Sequence, residues 1–198
     1  EYWQLWRGLR ADPPVDAVTL RAFLAREQGS YLADRLRSEW IRRLAANGDW
    51  PVLREEFPRL VDASDTELLC LRLQAELAMN DASGLAAVKD RLWLTAKDQV
   101  AACNPAMTAL QDTGIVTEED RWQRLRLALD AGSSANGLAR HLLAGFGSEL
   151  SAAQLQSIQT DPAGFIAGAD LGSRDQRELA AWAWGRWARN DLTAALAA

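Results

Sequence analysis

Hydrophobic positions recur every three or four residues along most of the chain. Trp122, Leu125 and Leu129 fall at i, i+3 and i+7, one stripe of a helix. Alternating β-branched runs are almost absent, and no Asn-Gly pair is flanked by strand patterns. Ala, Leu and Arg, all good helix formers, recur throughout. The pattern predicts an all-α protein.

Punctuation divides the helices into hairpins. "SYLADRLRSEWIRRLAANGDWPVLREEF" reads as a long helix, a stop at Asn47-Gly48, and Asp49 as N-cap of a second helix. "ELLCLRLQAELAMNDASGLAAVKDRLWL" repeats the arrangement at Asn80 and Asp81, and "RELAAWAWGRWARNDLTAALAA" at Asn190-Asp191. A looser turn runs from Gly132 to Gly137. Asp49 and Asp81 are 81 − 49 = 32 residues apart, close to one tetratricopeptide-type hairpin. The later turns are unevenly spaced, so the repeats are degenerate. Stacked hairpins of this kind form a superhelix, or α-solenoid. Pro14 after Asp12-Pro13, Ser64 with Glu67, Thr117 with Asp120, and Ser151 mark further helix starts. Leu60 to Ser64 and Gly145 to Leu150 read as loops between hairpins. No linker is long enough to split the chain, so residues 1–198 are expected to form one α-superhelical domain.

Composition narrows the classes of function. With 198 residues, 48% of them hydrophobic, the chain can bury a real core. A net charge of −5 argues against nucleic acid as a partner. Arg35, Arg37, Arg42 and Arg43 form a local basic stretch that reads as a solvated helix face. No apolar run approaches the roughly 20 residues of a membrane span. The opening "EYWQLWRGLR" and closing "LTAALAA" both read as cut from a longer protein. The nine tryptophans raise the possibility of sugar stacking. Trp40, Trp50, Trp93 and Trp122, however, lie on apolar stripes or beside turns and read as packing between hairpins. Trp182 and Trp184 are about 200° apart on a helix, so their helix needs cover on two sides. One indole is expected under the preceding hairpins. Another is expected under the segment after Asn190, under further helices, or under a second copy, and Trp187 adds a third large surface.

Candidate chemistry is sparse. His141, beside Arg140, is the only histidine, and no Cys/His set has metal-ligand spacing. No Gly-x-Ser-x-Gly elbow and no glycine-rich phosphate loop occur. Glu118, Glu119 and Asp120 resemble a carboxylate cluster, but a helix first turn after Thr117 accounts for them through the helix dipole. No catalytic, cofactor-binding or metal residue is therefore assigned, and no cofactor. Two cysteines remain, Cys70 inside a helix and Cys103 at a Cys-Asn-Pro junction. They read as two buried thiols or one bridge.

Several segments together resemble a known family. "EYWQLWRGL", "FLAREQGSYLADRLRSEWIRRLAANGDW", "LWLTAKDQVAACNPAMTAL", and "RWQRLRLALDAG" followed by "GLARHLLAG" are similar to the N-terminal superhelical region of the large soluble lytic murein transglycosylases. The likeness is collinear and weakest between Ser148 and Ser173. "WLTAKDQVAAC" carries most of it. The family pattern has Gly where Ala96 stands and Ser where Asp98 stands.

The resemblance implies a bacterial, periplasmic location and a ring of helix hairpins. It also implies a separate C-terminal lysozyme-like domain that cleaves MurNAc–GlcNAc bonds of peptidoglycan, giving 1,6-anhydro products. That domain carries a Glu-Ser pair and a Gly-Leu-Met-Gln stretch, which do not occur here. On this reading the chain is a non-catalytic fragment that positions glycan strands for the rest of the parent chain. The family's disulfide maps onto Cys70 and Cys103, 103 − 70 = 33 residues apart, and a bridge there agrees with an oxidising compartment. The alternative is a tetratricopeptide-like scaffold whose groove binds a protein partner.

Overall fold

A computed structural model describes residues 1–11 and 14–197. Asp12 and Pro13 lie outside the described residues. Among those described there are thirteen α-helices, three short 3-10 turns and no strand. The chain folds as two compact units: residues 1–88 with 99–115, and residues 89–98 with 116–198.

The first unit holds α1 (Tyr2–Gly8), α2 (Ala17–Arg26), α3 (Tyr31–Asn47), α4 (Trp50–Glu56) and α5 (Thr66–Ala78). It also holds the start of α6 (Leu85–Trp93), a 3-10 turn at Ala101–Cys103, and α7 (Asn104–Asp112). Helix α3 is its axis and packs against α1, α2, α4 and α5. Leu36, Trp40, Ile41 and Leu44 of α3 lie at three- and four-residue spacing and enter one core with Leu20, Leu24 and Leu53. The α3–α4 turn forms as its residues dictate. Gly48 sits at φ 76°, where a side chain would be strained, and its amide bonds back to Leu44 and Ala45. Asn80 supplies the same left-handed conformation at φ 59°.

The second unit holds the end of α6, then α8 (Glu118–Asp130), α9 (Asn136–Ala144), α10 (Ala152–Thr160), α11 (Pro162–Gly168), α12 (Arg174–Asn190) and α13 (Leu192–Ala197). Consecutive helices pack on one another, and α12 also returns to α8 and α10. Trp122, Leu125 and Leu129 all enter this unit's core. Phe146 stacks on Trp122 with ring centroids 3.6 Å apart.

Two expected helix starts and one expected cap bond need correction. The helix begins not at Pro14 but at Ala17, because Asp16 accepts from the Thr19 amide. Asp65 rather than Ser64 caps α5, since its carboxylate reaches both the Glu67 and Leu68 amides. Asp49 occupies the N-cap position of α4 without a side-chain cap bond, and Pro51 stands in that helix's first turn. The reciprocal capping boxes of Thr117 with Asp120 and of Ser151 with Gln154 are present.

Candidate functional site

Cys70 and Cys103 come together first. Residue 70 faces inward on α5, against the 3-10 turn and α7. The two form a disulfide with Cα atoms 4.8 Å apart, and neither is exposed. The Gln74 side-chain amide donates to the Ala102 carbonyl at 2.7 Å and fixes the same turn. Pro105 then opens α7, where its missing N–H is no loss.

The acidic run acts as a helix start. Asp120 closes its capping box with Thr117 and accepts from Lys89 at 2.7 Å. These bonds, that from Lys89 foremost, hold its carboxyl down at about 2. Glu119 pairs with Arg126 at 2.9 Å and with Arg174. Glu118 accepts from the Trp122 indole at 3.0 Å. Hydrogen bonds from Arg174 and Arg126 lower the Glu119 carboxyl, the opposite of what a general acid needs. His141 is exposed, as is Arg140, which donates to the Leu150 carbonyl at 2.9 Å. Among the described residues no group of three His, Cys, Asp or Glu could hold a metal ion. No described helix is long and apolar enough to cross a membrane.

Trp40, Trp93 and Trp122 are buried, and Trp50 packs on the core of the first unit. Trp182 enters the core of the second unit, while Trp184 is 42% exposed and donates to the Ala195 carbonyl at 3.0 Å. The Trp182 side of α12 is thus covered inside the unit, while the Trp184 side stays partly exposed beside α13.

A polar cleft of about 450 Å³ lies in the first unit. One wall is a stripe of α3: Tyr31, Asp34, Arg35, Ser38 and Arg42 follow three- and four-residue spacing on the face opposite the core. Trp6 of α1 and the 61–65 loop close the other sides. Asp34 anchors that loop by accepting from the Val61 and Asp62 amides at 2.7 and 3.2 Å. Arg42 reaches Asp65 at 2.8 Å and Glu67 at 2.7 Å, tying α3 to the start of α5. Arg10 pairs with Glu39 at 2.7 Å and lies 4.0 Å above the Trp6 ring. Tyr31 is left 72% exposed. Four carboxylates (Asp34, Glu39, Asp62, Asp65) face three guanidiniums (Arg10, Arg35, Arg42), so the cleft is close to charge balance. An exposed aromatic ring among polar groups fixed by their own bonds suits a neutral, hydroxyl-bearing ligand better than a strongly charged one.

Nothing in the sequence marked this cleft as a site. Its signal was the polar stripe at helical spacing within "YLADRLRSEWIRRL", which reads as an ordinary solvent face. The basic stretch there is not uniformly solvated: Arg37 is buried and Arg42 is paired.

No model of a known protein family matches the sequence, and neither does any curated protein. Solved structures do. The 70-kDa soluble lytic transglycosylase in complex with bulgecin A aligns at 24% identity and a TM-score of 0.71, covering 98% of this chain and 32% of that one. The 70-kDa enzyme from Escherichia coli gives 24% identity, a TM-score of 0.70 and the same coverage. An inactive mutant of the lytic transglycosylase Slt from Pseudomonas aeruginosa gives 28% identity and 0.66, over 92% of this chain and 30% of that one. In fold, the chain is similar to about a third of a soluble lytic transglycosylase.

Proposed function

We propose that this chain is the non-catalytic helical module of a periplasmic peptidoglycan lytic transglycosylase and that it positions glycan strands for a catalytic domain elsewhere in the parent. The observation that carries this reading is the alignment of nearly the whole chain with about a third of such enzymes. The quoted sequence blocks support it independently. The cleft beside Tyr31 is the contact we assign to the glycan, because sugar rings stack on aromatic faces and offer hydroxyls to paired carboxylates and guanidiniums. The parent would cleave MurNAc–GlcNAc bonds, and the disulfide agrees with export to an oxidising compartment.

Purified sacculi test both halves of the proposal. The chain should release no 1,6-anhydro-muropeptides. Anhydro product that survived repurification and vanished on replacing one of this chain's carboxylates would sink the non-catalytic assignment. The chain should also co-sediment with sacculi, and Tyr31→Ala should weaken that binding about fivefold. Unchanged sedimentation of a folded Tyr31→Ala variant would remove the cleft from the proposal.

A further inference from the structure

A second cluster in the first unit joins α2, α3, α4 and the 3-10 turn at Phe57–Arg59. Glu56 ends α4 and is only 1% exposed. Three arginines converge on it. Its Oε1 accepts from Arg21 Nε at 3.0 Å and from Arg59 Nη1 at 2.8 Å, and its Oε2 faces Arg37 Nε at 3.4 Å. Arg37 is 4% exposed and also donates from Nη1 to the Arg59 carbonyl at 2.8 Å. Its Nη2 has no hydrogen-bond partner among the described residues. The same residues line a cavity of about 320 Å³, whose other walls include Leu24, Ala25 and Gln28.

The charge does not balance. One buried carboxylate faces three guanidiniums, an excess of two positive charges. Glu55, which pairs with Arg21 at 3.2 Å from an exposed position, reduces the excess to one. Glu56 is enough to pair the one buried arginine, Arg37, so the excess positive charge sits on Arg21 and Arg59, whose side chains are 42% and 52% exposed. The apolar wall formed by Leu24 and Ala25 strengthens any charge interaction inside the cavity. Guanidinium forks with free N–H groups match the oxygen pairs of carboxylates and phosphates.

We infer that this cavity is an oxyanion-binding site, in which Arg37 supplies the buried donor and Arg21 and Arg59 close over a carboxylate or phosphate group from the solvent side. Glu56 holds the three arginines together and leaves them a net positive charge. The site is distinct from the Tyr31 cleft and does not depend on the glycan reading.

Side-chain NMR of the whole chain, labelled with nitrogen-15, tests the assignment. Acetate and inorganic phosphate serve as separate probes at ionic strength held constant with sodium chloride. The Arg37 Nε–H signal should shift saturably with at least one probe. Response to acetate alone identifies a carboxylate ligand, response to phosphate alone a phosphate ligand, and either outcome upholds the site. Arg59→Gln and Arg21→Gln, both at partly exposed positions, should each weaken the apparent affinity roughly tenfold, the worth of one charged hydrogen bond. Arg59→Lys should recover part of the loss. Shifts that stay linear and match those of chloride for both probes would overturn the inference. Saturable binding of unchanged affinity in both Gln variants would overturn it equally.

Discussion

At the residue scale, two buried polar side chains explain why the segment 93–98 has the form it does. Arg124 is 4% exposed and lies 4.8 Å from the Trp93 ring centre. Its Nη2 reaches the Lys97 carbonyl at 3.4 Å, and Asp98 lies 3.7 Å away. The Trp93 indole donates to the Asp120 carbonyl at 2.9 Å. The "WLTAKD" segment is therefore wrapped against α8, which gives its residues a structural role. Asp120 fixes the same region through Lys89, and its chemistry gives a pH prediction. Its folded carboxyl titrates at about 2, below the ordinary 3.8. A depressed carboxylate adds stability above its unfolded value, and that stability is lost as pH falls through the folded one. Stability should thus decline by roughly 1–2 kcal/mol between about pH 4 and pH 2 from this group. Urea midpoints across that range for the natural chain and Asp120→Asn check it. The variant should be less stable at pH 7, and the difference should shrink toward pH 2. A constant difference would remove Asp120 from the acid response.

At the scale of elements, α5 and the turn before α7 depend on a covalent tie. The disulfide closes a separation of 33 residues. In the chain-entropy picture this is worth about 3–4 kcal/mol. Intact mass after alkylation should show no free thiol in protein exported to an oxidising compartment, and two after reduction. Reduction should lower the midpoint of urea unfolding correspondingly. Two alkylated thiols in unreduced exported protein would contradict the bridge. The C-terminal helices illustrate a different dependence. Helix α13 is short, and Asp191 accepts from the Ala194 amide to start it. Its carbonyl at Ala195 then satisfies the Trp184 indole, so a weak helix and an awkwardly placed tryptophan support each other.

At the scale of the molecule, the chain passes between its two units at 88–89, 98–99 and 115–116. Helix α6 begins in one unit and ends in the other. From this connectivity we propose that residues 1–198 form one folding domain, because neither unit is a single continuous stretch of chain. Urea unfolding followed by tryptophan fluorescence and by far-ultraviolet circular dichroism should give one coincident transition. Both units contain tryptophans, so the fluorescence covers the whole chain. Two separable transitions would show that the units fold independently.

The features legible in the sequence are those with a local cause. Apolar residues at helical spacing demand a buried stripe, which is why Trp122, Leu125 and Leu129 enter one core. Glycine at 48 and asparagine at 80 adopt the left-handed turn conformation within their own segments. Thr117 and Asp120 cap each other across three residues. The collinear segments also pointed to the fold of the lytic transglycosylase structures and to the pair Cys70 and Cys103. Other features rest on contacts between distant segments. Arg37 looks like a surface residue until Glu56, 19 positions away, and the Arg59 carbonyl meet it inside the fold. Tyr31, Trp6 and the loop at Asp62 become walls of one cleft only when α3 lies beside α1 and the loop leading to α5. Helix periodicity says that a polar face exists. Which charges gather on it, and whether they enclose space for a ligand, is decided by tertiary packing, because side chains from distant segments set the charge balance and the walls together.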